Sequence, residues 1–68
     1  MRALSTAICE ISYDEPHRKL FVRFSDGDEY LYVGVPPPVH RAFVKASSKG
    51  AFFSRRIRDQ YPYNKLAG

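Results

Sequence analysis

A chain of 68 residues has room for one domain with a small core, close to the lower size at which such domains fold alone. Five Phe and five Tyr bring large buried area per residue, and a single cysteine, Cys9, excludes an intrachain disulfide and points to the reducing cytoplasm. The formal charge of +4 is uneven: residues 1–44 hold five basic side chains against six acidic ones, and residues 45–68 hold six against Asp59 alone, an asymmetry that suits a polyanionic partner.

Thr6 to Tyr13 reads as a first strand, supported by Thr6, Ile8 and Ile11. Ile8 and Ile11 differ in parity, so a bulge or an early strand end is expected between them. Cys9 is expected as a buried strand thiol rather than a nucleophile. Asp14-Glu15-Pro16-His17 is turn chemistry, and Lys19–Ser25 and Asp28–Val35 form the second and third strands. Between them, a three-residue loop Ser25-Asp26-Gly27 with Gly27 in the left-handed region would pair Val22 with Tyr30 and Leu20 with Tyr32. That register places all four side chains on one face and is preferred to a two-residue loop. It leaves Phe21 and Leu31 on the outer face, where apolar side chains need cover or a partner.

Three prolines, Pro36 to Pro38, end the sheet and suit the first turn of a helix. The helix is expected over Pro37–Ala46, with Val39, Ala42, Phe43 and Ala46 facing inward and His40, Arg41, Val44 and Lys45 outward. A second helix over Lys49–Gln60, capped by a serine, places Phe53, Ile57 and Tyr61 inward, with Arg55, Arg56 and Arg58 around the other side. Residues 64–68 are expected to be a loose tail. The fold class is therefore α+β: a three-stranded antiparallel sheet followed by two short α-helices packed on one face, β-β-β-α-α, in a single domain over residues 1–68. No segment approaches the length of a membrane span, and Glu10 interrupts any leader-like apolar run. The chain is expected to be soluble, unprocessed and monomeric.

The string FSDGDEYLY, residues 24–32, followed by GVPPPVHRAFVKASSKGAFFSRRIRDQYPY, residues 34–63, closely resembles the KTSC domain. That family takes its name from a segment at the C-terminus of some lysyl-tRNA synthetases and also occurs as short stand-alone bacterial proteins. The matching features are Tyr30-x-Tyr32, Val35-Pro36-Pro37, Ser48-Lys49-Gly50, Phe52-Phe53, Ile57-Arg58 and Tyr61-Pro62-Tyr63. The resemblance covers residues 8 to 66 and departs at Leu31, where a polar residue is usual. It implies a stand-alone single-domain protein and delivers no function of its own; RNA as a ligand is a conjecture drawn from the family's attachment to a tRNA-handling enzyme. It carries over no catalytic residue.

The strongest functional feature of the sequence itself is Lys49, Arg55, Arg56 and Arg58 beside Ser48 and Gly50. Guanidinium forks and an ammonium next to a helix start suit phosphate oxygens. The bland alternative is that Ser48 caps the helix, Gly50 relieves a tight junction, and the arginines are solvated or paired with Asp59. The glycine-rich lead-in of a P-loop is missing, and the helical spacing of Phe53 and Ile57 opposes an RNP1 strand at Lys49–Phe53. Tyr63, beyond the helix, is the candidate for stacking on a base, or else a clasp on the sheet; Tyr30 and Tyr32 read as core before they read as stacking rings.

His17 and His40 are isolated, and one cysteine without paired spacing predicts no zinc site and no triad. Asp14, Glu15, Asp26, Asp28 and Glu29 fall at turns, where carboxylates are solvated or capping. No enzyme activity and no cofactor are expected. The leading reading is an RNA-binding module, with a tRNA-like or other polyanionic partner. The alternative is a protein-interaction module that docks through Phe21 and Leu31.

Overall fold

The computed structural model describes residues 8–67. Its elements are β1 (Ile8–Asp14), β2 (Lys19–Phe24), β3 (Glu29–Val33), α1 (Pro37–Lys45), α2 (Lys49–Phe52) running into a π-helical turn (Phe53–Ile57), and β4 (Tyr63–Ala67). The sheet has four strands in the order β1-β2-β3-β4, every neighbour antiparallel. The α+β class and the paired helices stand, and the three-strand expectation is corrected. Most of the segment expected as a loose tail pairs with β3, Asn64 opposite Leu31 and Lys65 opposite Tyr30, after Tyr63 opposite Tyr32. Pro62 cannot donate, but its carbonyl accepts from Val33 N–H at 3.0 Å and starts that pairing.

The bulge between Ile8 and Glu10 resolves the parity of β1. One extra residue lets Ile8 face Phe24, Ile11 face Val22 and Tyr13 face Leu20 on the same side of the sheet. Cys9 occupies the bulge and is exposed, which corrects the buried-thiol expectation. Thr6 and Ala7 lie outside the described residues.

The β2–β3 hairpin follows the three-residue loop. Phe24 N–H donates to Asp28 O at 2.8 Å, Gly27 N–H to Phe24 O at 2.9 Å, and Gly27 sits at φ +98°. Asp26 Oδ1 accepts from Asp28 N–H at 3.0 Å and stiffens the loop. Val22 then pairs with Tyr30 and Leu20 with Tyr32. At the β1–β2 turn Arg18 takes φ +53°, and its carbonyl accepts from both Gly34 and Val35 N–H at 3.0 Å. Tyr13 adds a second tie, donating its hydroxyl to Val35 O.

Both helices cover one face of the sheet. Pro37 and Pro38 open α1, where missing donors cost nothing. Leu20, Val22, Tyr32, Val35, Phe43, Phe53 and Ile57 form the buried core, with Val39, Phe52 and Tyr61 packed against it. Phe43 stacks on Phe52 at 5.6 Å, while Phe53 meets Phe24 and Tyr32 edge-on at 5.4 Å each. Two expectations for α1 are corrected. Ala42 is exposed, and His40 is half-buried because its ring stacks on Tyr13 at 4.3 Å. The second helix is shorter than the expected 49–60. Arg58 N–H donates to Phe53 O at 2.8 Å, an i→i+5 bond, and the chain then turns toward β4.

Candidate nucleic-acid interface

The first component of the site is aromatic. Alternation on β3 puts Tyr30 and Tyr32 on the helix-bearing face, and β4 adds Tyr63 beside them. The Tyr63 ring lies 5.7 Å from Tyr30 and 5.5 Å from Tyr32 and is 55% exposed. Tyr32 is buried and Tyr30 half-buried. Burial, reinforced by the neighbouring Tyr30 and Tyr63 phenols, pushes Tyr32 up to about 12, so it stays neutral and acts as packing.

The second component is the charged lip of α2 and the π turn. The i→i+5 bond from Arg58 N–H to Phe53 O changes the phase of the helix there, and Arg58 borders the groove with the aromatic rings. Between this lip and the β3–β4 half of the sheet lies an open groove of about 570 Å³. Phe24, Tyr30, Tyr32, Phe53 and Tyr63 form its apolar walls, and Arg58, Ser54, Gly50, Asp59, Asp26 and Asp28 its polar ones. Lys65 reaches Asp28 across the end of the groove, Nζ to Oδ1 3.8 Å.

The expected site residues divide in two. Gly50, Arg58 and Tyr63 come together around the groove. Lys49, Arg55 and Arg56 are exposed but outside its lining. Lys49 Nζ donates to Ala46 O at 3.2 Å, and the Arg56 guanidinium lies 5.6 Å from the centre of the Phe52 ring, a cation–π contact. Ser48 caps α2, its Oγ accepting from Ala51 N–H at 3.3 Å, so one of the free donors at the helix start is already taken. Among the described residues none of Lys49, Arg55, Arg56 and Arg58 makes an ion pair, and Asp59 does not pair with the arginines. Gly50 relieves no tight junction: a Cβ there would meet nothing within 4 Å.

Sequence reasoning missed Phe24, Ser54 and the three aspartates as groove residues. Asp26 and Asp28 read as turn formers, and Asp59 as a mate for the arginines. The available signal was the alternation Tyr61-x-Tyr63-x-Lys65, which continues past Pro62 and marks a strand.

Phe21 and Leu31 pair across β2 and β3 on the opposite face, half-buried and away from the helices. Asp14 and His17 pair at 2.9 Å in the exposed turn. Among the described residues no three of His, Cys, Asp and Glu gather as a metal site, and no helix is long and apolar enough to cross a membrane.

A four-stranded antiparallel sheet with two helices on one face and an aromatic groove bordered by Arg58 and three aspartates defines a small α+β domain. The chain belongs to the KTSC domain family, whose model matches residues 4–61. A crystal structure of a KTSC domain protein from Yersinia pestis superposes with a TM-score of 0.83 at 36% identity, covering 96% of this chain and 90% of that one. An uncharacterized protein of Stutzerimonas stutzeri is 35% identical over 84% of this chain and 80% of its own length. A lysine–tRNA ligase of Nostoc punctiforme is 31% identical over 91% of this chain, which spans 11% of the ligase's length.

Proposed function

We propose that this KTSC domain is a cytoplasmic RNA-binding module without catalytic activity. Its contact surface is α2 with the π turn and the adjoining groove. Lys49, Arg55 and Arg56 meet phosphates along the helix, Arg58 stands at the groove lip, Ser48 and Gly50 mark the helix start, and Tyr63 stacks on a base. The observation that carries this reading is that Arg58, free of a carboxylate partner, borders one groove with a ring that is 55% exposed, while three more cations without carboxylate partners lie on the same helical segment. Single-stranded nucleic acid is held by this combination, a basic track for the backbone and aromatic faces for the bases. The relative in a lysine–tRNA ligase supports RNA as the class to test first.

The test is an NMR titration of the isotope-labelled chain with short single-stranded RNA and DNA at low and high salt. Shifts concentrated on residues 47–58 and Tyr63, lost at high salt, are the expected result. The Arg55→Ala/Arg56→Ala double variant should lower the salt slope by about 1.4, since each phosphate contact to a single strand contributes about 0.7. Unchanged affinity in that variant, with an unchanged circular dichroism spectrum, removes the helix from the interface.

A second reading rests on the outer face of the sheet. Phe21 and Leu31 sit side by side there with Val33 at 36% exposure, which suits a protein partner. It predicts association with weak salt dependence and loss of association in Phe21→Ser.

A further inference from the structure

We infer that the groove between β3–β4 and the π turn is a slot for one unstacked guanine base. The inference rests on the RNA-binding reading above and adds the identity of the base. Asp26, Asp28 and Asp59 border the groove, and their charge opposes a phosphate inside it. The part of a nucleotide that enters is therefore the uncharged base, with its backbone left over the arginine-bearing side of the helix. Tyr63 provides the stacking surface. Its ring is tilted 58° to Tyr30 and 32° to Tyr32 and remains more than half exposed.

The polar lip then selects among bases. Arg58 and Asp59 are consecutive, both exposed, both at the groove, and among the described residues neither makes an ion pair. A guanidinium and a free carboxylate that border one groove present donors and acceptors to whatever enters it. Guanine answers both: O6 and N7 accept from the guanidinium, and N1–H with the N2 amino group donates to the carboxylate. Adenine and cytosine each offer one amino group and leave part of the lip unanswered. Uracil has a single N–H between two carbonyls. Asp28 is engaged by Lys65, and Asp26 accepts from Asp28 N–H, which leaves Asp59 as the reading carboxylate.

The experiment titrates the full chain with four hexaribonucleotides, oligouridine and its variants with one adenine, cytosine or guanine at the third position. Tyrosine fluorescence and amide shifts are followed together, the chain having no tryptophan to mask the tyrosines. The guanine oligomer should bind about tenfold tighter than oligouridine and move Tyr30, Ser54, Arg58 and Tyr63. Inosine in place of guanine, which lacks the N2 amino group, should weaken binding about threefold to fivefold. Asp59→Ala, an exposed position, should abolish the difference between guanine and inosine while keeping the salt dependence. Equal affinity for all four oligomers, with shifts on the helix, overturns the guanine slot and leaves RNA binding standing. Binding by none of them at low salt removes both. Displacement of groove shifts by N-acetylarginine amide identifies a cation site and overturns the proposal.

Discussion

The helix-bearing face of the sheet is finished in two ways. Toward β1–β2 it is closed: Leu20, Val22, Val35 and Phe43 are wholly shut from solvent. Toward β3–β4 the same aromatic and strand chemistry stays open, with Tyr30 half-buried and Tyr63 more exposed than not above a groove of about 570 Å³. Composition differs, aliphatic Leu20, Val22 and Val35 beside Phe43 in one half and tyrosines in the other, but both halves are apolar enough to be closed. The cover separates them. α1 reaches the first half, where His40 stacks on Tyr13, whereas the nine residues of α2 and the π turn end at Ile57, before β4 begins at Tyr63. The closed half carries the stability of this small domain, and the open half is free to carry a ligand.

The hardest test of that division is Phe43→Ala. Deleting a fully buried ring costs about 3–5 kcal/mol through lost transfer energy and the cavity left behind. That is a large share of the roughly 5–15 kcal/mol available to a domain, so the urea midpoint should collapse. Tyr63→Ala, across the divide, should move that midpoint by less than about 1 kcal/mol and weaken RNA binding by about 1–3 kcal/mol. A destabilisation by Tyr63→Ala comparable to that of Phe43→Ala would make β4 part of the closed core and dissolve the division.

Tyr32 stands on the boundary, and its titration shows which side it serves. Its phenol is raised from an ordinary value of 10.0 to about 12, chiefly by burial. The folded state then holds the proton after the unfolded chain has released it. Stability from this group is fully present below pH 10 and is lost as pH rises through about 12, on the order of 2 kcal/mol in all. Tyr32→Phe should flatten that part of the alkaline stability profile, measured as urea midpoints against pH. An equal alkaline loss in the variant would show that Tyr32 is hydrated in solution and belongs to the open half.

The closed half was legible in the sequence and much of the open half was not, for a physical reason. Period-2 alternation in Leu20–Phe24 and Tyr30–Tyr32, with Asp26-Gly27 between, specifies the hairpin and its register, because a slip of one residue would turn Leu20 and Val22 to water. Val39, Phe43, Phe53 and Ile57 likewise reveal their burial by helical spacing. β4 has only the short alternation Tyr61-x-Tyr63-x-Lys65, with no apolar face to bury. Pro62 reads as a terminator, Asn64 and Lys65 are polar, and the strand is held by backbone pairing to β3 instead of by buried side chains. The π turn is also silent, because one i→i+5 bond alters the phase of the helix without altering its composition. Arg55, Arg56 and Arg58 were visible as a group, but which of them faces the groove depends on that phase.

The smallest effects come from two glycines, and one substitution should act on them with opposite signs. Gly27→Ala leaves space untouched, since nothing lies within 4 Å of a Cβ there, but forces a side chain into φ +98°. The expected cost is about 1 kcal/mol of backbone strain at the hairpin. Gly50 is helical, and an added Cβ again meets nothing within 4 Å, so Gly50→Ala should raise stability by about 0.5–1 kcal/mol by restricting the unfolded chain. A glycine that could be replaced with a gain in stability has its use elsewhere, and this one lines the groove. Gly50→Ala should therefore raise the thermal midpoint and weaken the guanine-containing oligomer together. A rise in midpoint with full affinity would mean that the ligand never approaches α2 at this point, and would confine the contact to Arg58, Asp59 and Tyr63.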